Sequence, residues 1–140
     1  MGQSQQFGAR VLIVEDDPVG RSLVSAALRR RGFEILHAND AAEAIAILKE
    51  ETVQAVFTDV IMPGEIDGFG LQEWARINRP GLPVIVGSAD ERRARPTFLE
   101  EFRFFAKPYN MDIVAGCIRL LIDRRAANKT RDDGSLEDAG

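Results

Sequence analysis

The chain has one cysteine, Cys117, and one histidine, His37, among its 140 residues. A lone cysteine excludes an intrachain disulfide and a cysteine-based zinc site. A lone histidine excludes a multi-histidine metal centre and any histidine pair that passes protons. Excess positive charge is also lacking, since 18 basic and 22 acidic residues leave a formal charge of -4. That balance argues against holding a nucleic-acid backbone through a general basic field. No run of about 18 consecutive apolar residues occurs, and the polar start MGQSQQFGAR lacks the apolar stretch of a signal peptide. The expectation is a protein in a reducing, cytoplasmic setting, without membrane insertion or direct nucleic-acid contact. Its chemistry must rest on carboxylates.

What the chain does contain is ordinary for one folded domain: 45% hydrophobic and 29% charged residues. Short apolar runs at 11–14, 33–37, 53–58, 83–87 and 102–106 read as strands. Helical signals alternate with them. Asp17 caps a first helix with Pro18 at its first position, Leu23, Val24, Ala27 and Leu28 on one face, and Gly32 as its stop. Asp40, with Glu43 three residues on, forms a capping-box pattern ahead of Ala41, Ala44, Ile45 and Leu48. Met62-Pro63-Gly64 forces a loop before a helix with Leu71, Trp74 and Ala75. A short helix is expected around 96–101, and a last one runs from Ile113 to about Arg124 and Arg125. His37 falls within a predicted strand and is read as structural.

Five strands alternating with helices predict an α/β doubly wound, flavodoxin-like fold: a five-stranded parallel sheet with helices on both faces. In such folds the functional crevice lies beyond the carboxyl ends of the strands. Those ends carry Glu15, Asp16 and Asp17, then Asp59, Ser88 and Lys107. Singly, each has a plain reading as a cap, a turn residue or a surface lysine. Together, several carboxylates raise one another's pKa or call for a cation, and an all-oxygen set suits Mg²⁺. A lysine and a hydroxyl beside them suit a phosphoryl group.

The segments VLIVEDDP, FTDVIMPGEIDG, VIVGSAD and FFAKPY, in that order, resemble the receiver domain of two-component response regulators. The resemblance covers residues 10–125. It implies that Asp59 accepts a phosphoryl group and that Asp16 and Asp59 bind Mg²⁺ directly. Glu15 would act mostly through a metal-bound water, and the backbone carbonyl of Ile61 would be a further ligand. Lys107 would pair with the phosphate and Ser88 would hydrogen-bond one of its oxygens. Phe104 would hold the switch aromatic position, and Ala89 would leave room for the loop to move. The donor would be a histidine kinase or a histidine phosphotransfer protein, and the chain would not be an enzyme beyond promoting its own phosphorylation and dephosphorylation. The output, to a downstream protein or as a homodimer, would use the face of the fourth helix, fifth strand and fifth helix.

Three departures from the family pattern stand out: serine at 88 where threonine is common, Phe104 without a phenol, and a GEIDG loop one residue longer than usual. A flavodoxin-type cofactor site is disfavoured because EDDP would repel a phosphate. An aspartate-nucleophile phosphatase is disfavoured because Ile61 stands where a second acid belongs. The remaining rival is a receiver-like adaptor that works without phosphorylation. Residues 1–9 are expected to be a flexible start and 126–140 a flexible polar tail, too poor in apolar residues for an effector domain. On that expectation a full-length chain would signal by protein contact.

Overall fold

The computed structural model describes residues 8–88, 104–107 and 109–139. Five strands, β1 (Arg10–Val14), β2 (Glu34–Ala38), β3 (Ala55–Asp59), β4 (Val84–Ser88) and β5 (Phe104–Ala106), form one sheet in the order β2-β1-β3-β4-β5. All four pairings are parallel. Four helices lie among the described residues: α1 (Pro18–Arg30), α2 (Ala41–Glu50), α3 (Gly68–Asn78) and α4 (Met111–Ala139). This is the predicted doubly wound architecture. The helix expected around 96–101 lies outside the described residues.

The core divides according to the two-residue period of the strands. Val11 and Ile13 of β1 join Phe57 and Ile85 in packing against Leu28 of α1 and against Val114, Ile118 and Leu121 of α4. Leu12 and Val14 join Val56 and Val84 in packing against Ala44 and Leu48 of α2 and against Leu71 and Ala75 of α3. Burial on both faces explains why β1 and β4 read as unbroken apolar runs. Each buried large aliphatic side chain contributes roughly 1.5–3 kcal/mol.

Helix starts follow the chemistry of orphan backbone N–H groups. Asp17 accepts from Gly20 N at 3.1 Å and Asp40 from Glu43 N at 2.8 Å, as the sequence predicts. Glu43 reaches back to the N–H of Asn39 rather than to that of Asp40. Two further caps went unread: Asp67 accepts from Gly70 N at 2.8 Å, and Asn110 accepts from Asp112 N at 3.0 Å.

Some boundaries and faces differ from expectation. Val53 is buried but precedes β3, whose pairing starts at Ala55, and Pro83 has no N–H to donate, so β4 starts at Val84. Leu23 was expected on the buried face of α1 and is 68% exposed. The buried stripe runs through Ser25 and Leu28, with Ala27 beside it. The last helix was expected to end near Arg124 and Arg125. Instead α4 continues to Ala139. Loss of apolar periodicity marks where the helix stops packing: Ala126, Ala127, Asn128 and Lys129 are exposed, yet this proline-free stretch remains helical. No helix among the described residues is long and apolar enough to cross a membrane.

Candidate functional site

Parallel pairing brings all five carboxyl ends to one edge of the sheet. β1 is flanked by β2 and β3, so the helices on either side of it diverge and leave a crevice at the ends of β1 and β3. Glu15 and Asp16 follow β1, and Asp59 is the last residue of β3. Carboxylate oxygens of the three lie within 4.8 Å of one another. Lys107, just past β5, places Nζ 3.4 Å from Asp59 Oδ2 and 3.8 Å from Glu15 Oε1.

Backbone geometry fixes these groups. Glu15 N donates to the Ala38 carbonyl at 3.1 Å, tying the end of β1 to β2. Its Oε2 accepts from Asp17 N at 3.1 Å. Asp59 Oδ1 accepts from Val60 N at 2.9 Å, and Thr58 Oγ1 donates to the Asp59 carbonyl at 2.9 Å. α3 starts hard against this turn: Gly68 N donates to the Val60 carbonyl at 2.8 Å, and a Cβ on Gly68 would fall 2.3 Å from the Asp59 carbonyl oxygen.

Glu15 and Asp59 are largely sequestered, with side chains 12% and 13% exposed. Burial raises the pKa of both above the ordinary carboxylate range. For Asp59 the neighbouring Lys107 and the Val60 N–H oppose that rise, while for Glu15 the Asp17 N–H opposes it and Asp59 adds to it. Among the described residues, three carboxylates stand against one ammonium, an all-oxygen donor set with an excess of negative charge. That set fits a hard divalent cation of the Mg²⁺ kind.

The predicted residues differ in where the structure places them. Glu15, Asp16, Asp59 and Lys107 come together. Ser88 is 1% exposed at the end of β4, next to Gly87, which is in register with Asp59, and its carbonyl accepts Lys107 N at 2.9 Å. Ile61 lies in the loop after β3 with its side chain exposed. Phe104 of β5 is in register with Val86 of β4, but its side chain, like Ala89, lies outside the described residues.

Tyr109 is a site residue that the sequence reading missed. Its ring packs edge-on to Phe57 at 5.1 Å, and Lys107 Nζ lies 5.9 Å from the ring centroid. Burial, then the charges of Asp59 and Glu15, raise its phenol pKa far above the ordinary value. It occupies the space over Gly87, where a Cβ would fall 2.1 Å from the Tyr109 hydroxyl oxygen. The available signal was its place two residues after Lys107 as the chain's one tyrosine. An apolar groove of about 510 Å³, lined by Leu23, Val24, Tyr109 and Met111, opens beside Glu15 and Lys107. It too was unread.

The profile of the response regulator receiver domain matches residues 11–115. The chain is 33% identical over 128 residues to the probable transcriptional regulatory protein TcrX of Mycobacterium tuberculosis, covering 89% of this chain and 54% of that protein. It is 35% identical over 106 residues to a putative NtrX-like response regulator of Rickettsia felis, covering 73% of this chain and 22% of that one. It thus spans about half or less of the length of these relatives. Among solved structures, the response regulator TrrA of Thermotoga maritima, in complex with Mg²⁺ and BeF, superposes with a TM-score of 0.71 at 25% identity, covering 81% of this chain and 98% of that one. The chain belongs to the response regulator receiver domain family, the phospho-acceptor modules of two-component signalling.

Proposed function

We propose that Asp59 is the phospho-acceptor of this chain. The observation that carries the reading is the carboxylate cluster itself: Asp59 stands within 4.8 Å of Glu15 and Asp16 and 3.4 Å from the Lys107 ammonium. Asp16 and Asp59 would hold Mg²⁺ directly, Glu15 through water, with the Ile61 carbonyl as a further ligand. When bound, the cation neutralises charge developing on the equatorial phosphate oxygens. Lys107 pairs with the incoming phosphate, and the Val60 N–H holds Asp59 Oδ1 so that Oδ2 faces the donor. Ser88 is the hydroxyl that answers the new phosphate, and Phe104 is the aromatic whose packing follows it.

The donor is a partner protein's phosphohistidine, since His37 lies on β2 and belongs to a different part of the surface. The groove of Leu23, Val24 and Met111 beside Lys107 is where that partner docks, because exposed apolar surface next to a reactive carboxylate suits a protein donor. Exposed Ile113 and Leu120 of α4 belong to the output face, toward a downstream protein or a second copy. Residues 10–125 form the receiver unit, which acts on no substrate beyond its own phosphoryl group.

Incubation with Mg²⁺ and acetyl phosphate, followed by a phosphate-affinity gel, tests the assignment. A shifted band lost in Asp59→Ala is expected. A shift retained in Asp59→Ala refutes the site, and no shift beside a competent control receiver favours the phosphorylation-independent adaptor.

A further inference from the structure

A second polar site lies at the opposite edge of the sheet from β5. β2 is an edge strand of the sheet. Arg21, Ser25 and Arg29 recur at four-residue spacing along one stripe of α1, with Ser22 beside them. His37 lies on β2, and Asn39, just past the end of that strand, accepts from Arg21 Nη1. These six residues line an open groove of about 440 Å³.

Three observations single out this groove. Ser25 is 1% exposed, and its hydroxyl has no hydrogen-bond partner, a state that buried polar groups rarely keep. No carboxylate among the described residues lines the groove, although the chain is acidic overall. Among the described residues its guanidinium groups have no carboxylate partner: Arg21 Nη1 donates to neutral acceptors, Asn39 Oδ1 at 2.5 Å and the Glu15 carbonyl at 3.4 Å. Arg29 makes no ion pair among the described residues. The helix dipole explains a cation at Arg29 in the last turn, but it does not favour Arg21 near the helix start. The same uncompensated charge registers on His37, whose pKa burial lowers first and Arg21 and Arg29 lower further.

We propose that this groove binds a small phosphate-type oxyanion between Arg21 and Arg29, with the Ser25 hydroxyl donating to it from below and Ser22 and His37 from its sides. Guanidinium forks match the oxygens of a tetrahedral anion, and a hydroxyl buried without a partner gains one when the anion arrives. The groove shares no lining residue with the Asp59 carboxylate cluster.

His37 is the chain's one histidine, so its imidazole gives a single resolvable NMR signal. Titration of the full chain with inorganic phosphate in EDTA tests the proposal, with chloride at matched ionic strength as the reference. Phosphate is expected to shift the His37 signal saturably and to raise its pKa, because an anion offsets the two arginines. Arg29→Gln, at an exposed position, is expected to weaken the response at least tenfold, Ser25→Ala several-fold, and Asp59→Asn not at all. A parallel titration with glycerol phosphate identifies the source: tighter binding than inorganic phosphate assigns a phosphomonoester, and weaker binding the free ion. An equal response to chloride, or an undiminished one in Arg29→Gln, overturns the proposal.

Discussion

Replacing Asp59 by asparagine should stabilise the metal-free protein. Asparagine keeps the shape and the acceptor for the Val60 N–H, which lies 2.9 Å from Oδ1. It removes one charge from a cluster whose carboxylate oxygens lie within 4.8 Å of each other, and it gives up an attraction to Lys107 at 3.4 Å. At effective dielectric constants between about 80 and 20, each repulsion costs about 0.9 to 3.5 kcal/mol and the attraction returns about 1.2 to 4.9. Two relieved repulsions against one lost attraction leave a gain of about 0.5 to 2 kcal/mol, and relief of a buried charge adds to it. That corresponds to a rise in Tm of roughly 2 to 8 °C for a domain of this size.

The assay is thermal unfolding in EDTA and in Mg²⁺ across pH. Burial makes Glu15 and Asp59 hold their protons more tightly when folded than when unfolded. Their contribution is therefore fully present below about pH 4, where both states are protonated. It is lost as pH rises through the raised folded values, because the unfolded chain releases its protons first. The wild-type protein in EDTA should lose stability over that interval, and Asp59→Asn should lose less. Mg²⁺ should raise the wild-type Tm at neutral pH and the variant's much less. A variant less stable than wild type in EDTA, or an equal response to Mg²⁺, would refute the electrostatic account.

Other outcomes follow from single contacts. Lys107→Gln removes the one ammonium beside Asp59 and should slow phosphoryl uptake from acetyl phosphate by roughly tenfold or more, read by gel-shift kinetics. Gly87→Ala drives a Cβ into the Tyr109 hydroxyl and should destabilise by about 1–3 kcal/mol in urea unfolding. Pairing it with Tyr109→Ala should recover part of that loss, and strict additivity of the two would contradict the contact. Asp17→Ala removes the acceptor for Gly20 N and should cost about 1 kcal/mol of stability while leaving phosphorylation unchanged.

The parts of the site that could be read from the sequence are those whose position follows from local pattern. A parallel strand buried on both faces is a continuous apolar run, so Val11, Leu12, Ile13 and Val14 declare β1, and the next polar residues must stand at its carboxyl end. The same logic places Asp59 and Lys107, and parallel pairing alone brings them to one edge. Caps are equally local: Asp17 and Asp40 act on N–H groups three residues ahead. Asp67 and Asn110 obey the same rule but sit in loops where several polar residues compete for the role. The end of α4 was misread for a different reason. Apolar periodicity reports contact with the core, and past Arg125 the helix continues through the exposed residues 126–129.

Tyr109 and the basic groove were illegible because neither is a property of one segment. Tyr109 occupies the site only because Gly87, on the neighbouring strand, has no side chain in its way, and Phe57 of β3 offers a ring edge to pack on. The sequence separations are 22 and 52 residues (109 − 87 and 109 − 57), beyond the reach of any periodicity. Likewise Arg29 reads as a helix end and His37 as a strand residue until the edge position of β2 sets them around one groove. A function carried by strand ends can therefore be read in sequence, because parallel topology gathers those ends whatever the packing. A function carried by a helix face over a sheet edge depends on the rotation of that helix. Leu23 demonstrates the point: the turn of α1 that exposes it is the same turn that directs Ser25 and Arg29 toward β2.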